Sequence, residues 1–235
     1  MMPRRAMPCI LNGFMPVIFD FDGVIADTEK LHFEASRQVL AEHGVVFDQA
    51  RYYAKYLGYS DRDMAEAVAR DQCLFAPGAD LSEFVSEFIR KKGLIFDQLL
   101  STGAVLFPGA EACFVRLGAA FPLAIASGAY REEIEHILDG AALRHHFIAI
   151  VGAGDARRSK PHPDPYAEAA RRLGAHPVDC VAIEDSMWGL DSARAAGMKT
   201  IAVTNSYDAM YLTADLIVDR LDQITVEVVR GVLAS

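Results

Sequence analysis

The chain has 235 residues, 52% of them hydrophobic and 23% charged, with 23 Lys and Arg against 32 Asp and Glu for a net charge of −9. This composition suits a packed protein of one or two domains and excludes a disordered chain. The acidic balance argues against a nucleic-acid partner, because phosphate backbones are bound through Lys and Arg. A small anionic substrate stays open, since a metal or a local cation can outweigh the global charge.

The opening MMPRRAMPCILNGFMP carries two arginines but only a short, broken apolar run. It makes a poor signal peptide and is expected to be a loosely packed leader on a cytoplasmic protein. No apolar run reaches the roughly 18 residues of a membrane span, so no membrane partner is expected. Cys9, Cys73, Cys113 and Cys180 form no Cys-x-x-Cys pair and adjoin apolar residues. Buried free thiols are the expected state.

Val17, Ile18 and Phe19 read as a buried strand, followed at once by Asp20-Phe21-Asp22-Gly23. Alternate residues of a strand share a face. If strand geometry persisted, the two carboxylates would point the same way and repel. From about residue 30 to 103 no comparable strand occurs. Phe84, Phe88, Ile95 and Leu99 instead lie at helical spacing, with Val85 and Ile89 widening the face, and Leu31, Val39 and Leu40 do similar work earlier. This predicts an all-helical insertion with its own small core, closed off by Pro108-Gly109.

Four more apolar runs follow: Leu123 to Ala126, Phe147 to Val151, Val181 to Ile183 and Thr200 to Val203. Amphipathic stretches separate them, the pattern of βαβ units and a parallel sheet. Ile134, Ile137 and Leu138 mark one helix, Ala167, Ala170 and Leu173 the next, and Ala193 with Ala196 a third that Gly197 stops. The predicted architecture is an α/β core over 16–29 and 104–235 with a helical domain at 30–103.

Open α/β sheets bind ligands beyond the carboxyl ends of their strands. After the successive runs come Asp20 and Asp22, then Ser127-Gly128, then Ser159-Lys160-Pro161, then Glu184-Asp185-Ser186. Four strand ends thus deliver carboxylates, an ammonium and a hydroxyl to one edge. Lys160 and a divalent cation would offset the carboxylates' repulsion. Magnesium is the expected ion, since carboxylate, carbonyl and water oxygens suit a hard cation and no His or Cys cluster offers a softer site.

In order and spacing, DFDGVI, Ser127, Lys160-Pro161 and Glu184-Asp185 resemble the four motifs of the haloacid dehalogenase superfamily. DGVIADTEKLHFEA, SKPHPDPY and IEDSMWGLDSARAAGM are similar to its β-phosphoglucomutase and phosphoglycolate-phosphatase branch, and the likeness runs from about residue 16 to 220. It implies a Rossmann-like core with a helical cap. Asp20 would be the nucleophile that takes the phosphoryl group, and Asp22 the general acid and base. Asp20, the backbone carbonyl of Asp22, and Asp185 would hold magnesium with Glu184 in support. Ser127, Gly128 and Lys160 would bind the phosphoryl group, and His32 resembles the branch's cap-entry histidine.

Asp22 favours phosphoryl transfer over dehalogenation, which does not need that carboxylate. The mutases carry arginine in a Gly-x-Ser-Arg turn of the cap; here Gly58-Tyr59-Ser60-Asp61-Arg62 puts aspartate at the matching place. The resemblance thus implies a magnesium-dependent phosphatase for a small phosphorylated metabolite such as a sugar phosphate or phosphoglycolate. A mutase is the alternative, a non-catalytic binding module is less favoured, and a monomer is expected.

Overall fold

A computed structural model describes residues 15–57, 59–100 and 106–235. Most of the leader, with Cys9, and also Gly58 and Gly103 lie outside these residues. Along the chain run β1 (Val17–Phe19), α1 (Glu29–Ala41), α2 (Gln49–Lys55), α3 (Asp61–Asp71), α4 (Ser82–Leu100), α5 (Ala110–Gly118) and β2 (Leu123–Ala126). Then come α6 (Arg131–Gly140), β3 (Phe147–Val151), α7 (Asp164–Leu173), β4 (Val181–Glu184), α8 (Met187–Ala196), β5 (Lys199–Val203), β6 (Leu216–Val218) and α9 (Val226–Ala234). The chain divides into two compact units, Ala26–Val105 and the remainder.

The larger unit is a Rossmann-like α/β fold. Among the described residues its strands form one sheet in the order β3-β2-β1-β4-β5-β6, every neighbouring pair parallel. β1 and β2 are apolar runs, β4 is apolar up to its final residue Glu184, and all three are buried along their whole length, as expected for parallel strands covered by helices on both faces. Each fully buried Ile, Val or Phe contributes about 1.5–3 kcal/mol. Phe19 packs edge-on against Phe114 of α5 at 5.3 Å and against Phe147 of β3 at 6.0 Å. α7 presents Tyr166, Ala169, Ala170 and Leu173 to the core. Gly197 ends α8 with φ +91°, a left-handed cap that favours glycine.

From central β1 the chain winds outward through β2 to β3, then returns to β4 on the other side of β1. That reversal opens a crevice at the carboxyl ends of β1 and β4, where such sheets bind ligands. β6 was absent from the expected set. Its Leu216-Ile217-Val218 is an apolar run as short as that of β1, and at the sheet edge its residues are only half-buried.

The smaller unit is all-helical, with α1 and α3 packed on α4. The buried row of α4 is Phe84, Phe88, Lys92, Phe96 and Leu100, flanked by Val85. Ile95 and Leu99, expected on that face, are only half-buried. Residues four apart lie on one ridge of a helix, and the ridge begun by Phe84 and Phe88 runs on through Lys92. Lys92, the last residue of the charged run Arg90-Lys91-Lys92, is therefore only 4% exposed. It is ion-paired with Asp61, and its Nζ lies 3.0 Å from His32 Nδ1. Tyr52 and Tyr56 are core residues of this unit, ringed by Phe33 and Phe47. The Tyr56 hydroxyl donates to Asp71 Oδ2 at 2.6 Å.

Cys113 and Cys180 are buried free thiols, but Cys73 is exposed. It sits just past α3 with φ +50°, where the chain turns away from the helix. Among the described residues no helix is long and apolar enough to cross a membrane.

Candidate active site

The backbone of Asp20 extends the pairing of β1, its N–H donating to Ile183 O of β4 at 2.9 Å. The chain then turns, and Ile25 N returns to Phe21 O at 2.8 Å. Asp22 therefore sits in a turn rather than on a prolonged strand. Gly23, with φ +79°, is required there: a Cβ would overlap Asp185 Oδ2.

Glu184 is the hub of the site. Its carboxylate is wholly buried, with Oε1 accepting from Lys160 Nζ at 2.6 Å and from the Tyr166 hydroxyl at 3.0 Å. Oε2 accepts from Asp185 N at 3.0 Å, Ser186 N at 3.1 Å and Ser186 Oγ at 3.0 Å. The first turn of α8 can lie over this carboxylate only because position 189 is glycine, since a Cβ there would overlap it. Ser186 also caps the helix, accepting from Gly189 N at 3.1 Å.

Lys160 joins the two strand ends. Its Nζ is 2.8 Å from Asp20 Oδ1 as well as 2.6 Å from Glu184, and it lies 5.0 Å from the centre of the Tyr166 ring. The loop that carries it is anchored by Asp155, which accepts from Gly152 N at 3.0 Å, Arg131 Nη2 at 2.5 Å and Arg172 Nη1 at 3.4 Å. Ser127, at the end of β2, is buried; its N–H donates to Val151 O at 2.9 Å and its Oγ accepts from Ala129 N at 3.0 Å. Gly128 beside it is exposed.

Ligand oxygens of Asp20, Glu184 and Asp185 all lie within 4.8 Å of one another. Burial, reinforced by Glu184, pushes the Asp20 carboxyl up to about 7 against the opposing pull of Lys160. Burial and the charges of Glu184 and Asp20 likewise hold Asp185 well above the usual carboxylate range. Burial works against the Lys160 ammonium, but Asp20 and Glu184 outweigh it and raise its pKa. Three buried carboxylates against one ammonium leave a negative surplus. An all-oxygen donor set of this kind fits a hard divalent cation. The repulsion expected chiefly between Asp20 and Asp22 comes mainly from Glu184, because the turn takes Asp22 off the strand line.

His32 belongs to α1 of the helical unit, where it stacks on Phe96 at 4.4 Å. Sequence reasoning missed Asn205 and Ser206. Asn205 Nδ2 donates to Gly23 O at 2.7 Å, and Ser206 Oγ donates to Asp185 Oδ2. Both follow the apolar run that became β5, so the rule applied to the other strand ends would have found them. Tyr166 was hidden within an ordinary amphipathic helix.

Residues 17–203 match the family model described as haloacid dehalogenase-like hydrolase. The chain belongs to this family. The hydrolase is 32% identical over 187 residues to the fructose-1-phosphate phosphatase YqaB of Escherichia coli, covering 80% of this chain and 95% of that protein. It is 30% identical over 217 residues to the β-phosphoglucomutase of Bacillus subtilis, covering 90% and 92%. Against the bifunctional riboflavin kinase/FMN phosphatase of Arabidopsis thaliana it is 31% identical over 215 residues, 90% of this chain, and spans about half of that protein's length, 54%. Among solved structures, CbbY from Rhodobacter sphaeroides in complex with phosphate superposes with a TM-score of 0.80 at 25% identity, covering 92% of this chain and 99% of that one.

Proposed function

We propose that the hydrolase is a magnesium-dependent phosphatase of a small phosphorylated metabolite, a sugar phosphate or phosphoglycolate, working through an aspartyl-phosphate on Asp20. The observation that carries this reading is the Lys160 ammonium 2.8 Å from Asp20 Oδ1, beside two further buried carboxylates. A carboxylate that attacks a phosphate dianion faces like-charge repulsion, so positive charge must be shared between nucleophile and substrate. Lys160 holds Asp20 in place and shares the developing charge.

Asp20, Asp185 and the backbone carbonyl of Asp22 would hold magnesium, which supplies charge neutralisation for the transferring phosphoryl group. Glu184, with five hydrogen bonds on its two oxygens, supports the site by orienting Lys160 and Asp185. Ser127 and Gly128 bind the phosphoryl oxygens with Lys160. Asp22 protonates the leaving oxygen and then takes the proton of the water that attacks the phosphoenzyme, so that one group serves both half-reactions. The helical unit serves as the cap and selects the leaving group, with His32 among its recognition residues.

The likeness to a β-phosphoglucomutase favours a second reading, in which the phosphoryl group returns to a sugar. Asp61 speaks against it. The mutase turn carries arginine at that position, whereas here a carboxylate pairs with Lys92, and Arg62 lies 4.0 Å from Glu66, three-fifths exposed. The matching position thus presents a carboxylate, not a cation, to a second phosphate.

A panel of phosphorylated metabolites, assayed for inorganic phosphate with magnesium and with chelator, tests the proposal. Magnesium-dependent phosphate release from a monophosphate is expected. Isomerised sugar phosphate from β-glucose 1-phosphate without phosphate release would establish the mutase instead.

A further inference from the structure

The exit of β5 reaches into the carboxylate cluster from a fifth strand end, at two adjacent residues. Ser206 Oγ donates to Asp185 Oδ2, and Asn205 Nδ2 donates to Gly23 O at 2.7 Å. The loops after β1, β4 and β5 therefore meet at one point. The fit is close, for a Cβ on Gly23 would overlap Asp185 Oδ2 and crowd Ser206 Oγ. Thr204 N, bonded to Val218 O at 3.1 Å, ties the start of this loop to β6.

We infer that Ser206 is a positioning residue for the metal site: its hydroxyl occupies one oxygen of Asp185 and turns the other toward the cation, while Asn205 fixes the Gly23 turn against which Asp185 rests. This rests on the magnesium-dependent reading above and deepens it. Ser206 is uncharged and half-buried, and it donates to a carboxylate that is itself buried. Its contribution is orientation, since a carboxylate with both oxygens free to rotate must give up that freedom when it binds an ion. Groups that hydrogen-bond a metal ligand in this manner typically alter metal affinity by 10–100-fold. The role explains the pairing of residues: the amide of Asn205 reaches a backbone carbonyl, and the shorter hydroxyl of Ser206 reaches the carboxylate next to it.

The test is magnesium binding to the metal-free full chain, followed by isothermal titration calorimetry without substrate. Ser206→Ala is expected to raise the Kd for magnesium by about 10-fold or more, and Ser206→Thr, which keeps the hydroxyl, to restore it to within about threefold. Circular dichroism melts show whether each variant is folded. If Ser206→Ala binds magnesium as tightly as the parent, or if Ser206→Thr is as weak as Ser206→Ala while folded, the inference is wrong. A parent chain that binds no magnesium would overturn the metal-dependent reading and this inference together, which separates the two failures.

Discussion

The Lys160 ammonium sits 2.8 Å from the Asp20 carboxylate although 140 residues separate them in sequence, and it reaches Glu184 at 2.6 Å on its other side. One buried cation thus holds the ends of β1 and β4 in register at their carboxyl edge. Such a triad is costly to break, because removing one member leaves its partners charged, buried and uncompensated.

Lys160→Met should therefore destabilise the metal-free protein by about 3–5 kcal/mol, with turnover reduced at least about a thousandfold. Urea unfolding in chelator gives the first value and phosphate release the second. A variant within about 1 kcal/mol of the parent would show that the triad is not the tie described.

The metal-free site should also mark itself in the pH dependence of stability. Asp20 is raised from 3.8 to about 7, so the folded state holds a proton that the unfolded chain gives up. Stability from this group is full below about 4 and is lost as pH rises through about 7, an effect on the order of 4 kcal/mol. Asp20→Asn removes the ionisation. In chelator its advantage in Tm over the parent should widen between pH 5 and 8 by at least ~5 °C. Magnesium at pH 8 should narrow or reverse the gap, since the ion stabilises only a site that can bind it. A constant gap across that range would contradict the burial argument.

Asp155 anchors the loop that delivers Lys160 through Gly152 N, Arg131 and Arg172. Hydrogen bonds to a charged group are worth about 1.5–3 kcal/mol each, and these are partly exposed. Asp155→Ala should cost about 2 kcal/mol in urea unfolding, with kcat falling further than KM rises because the loop holds Lys160 less firmly. Unchanged kcat in a folded variant would detach this anchor from catalysis.

The strands that place the site were legible because each central one is a short apolar run ended by a polar group, and parallel strands are buried on both faces. β6 was not, although Leu216-Ile217-Val218 is apolar: the run is short, no amphipathic helix separates it clearly from β5, and at the sheet edge it is only half-buried. Asp20, Lys160, Glu184 and Asp185 could be assembled from the rule that parallel strands aim their carboxyl ends at one crevice. Asn205 and Ser206 escaped because the same rule was not carried on to the end of β5, where polar residues read first as a turn. The burial of Lys92 is illegible in the sequence for a different reason. A lysine among charged neighbours reads as solvated, and nothing local reveals that Asp61, a full helix earlier, would compensate it in the core of the helical unit.

The central claim is that Asp20 carries the phosphoryl group, and trapping the phosphoenzyme tests it most directly. The chain, quenched during turnover of a phosphorylated substrate with magnesium, is reduced with borohydride, which converts an acyl phosphate to an alcohol, and its peptides are read by mass spectrometry. The expected result is homoserine at position 20, absent when chelator or unphosphorylated substrate replaces the reactants. Sustained phosphate release with the reduced residue at another position, or at none, would contradict the assignment of Asp20.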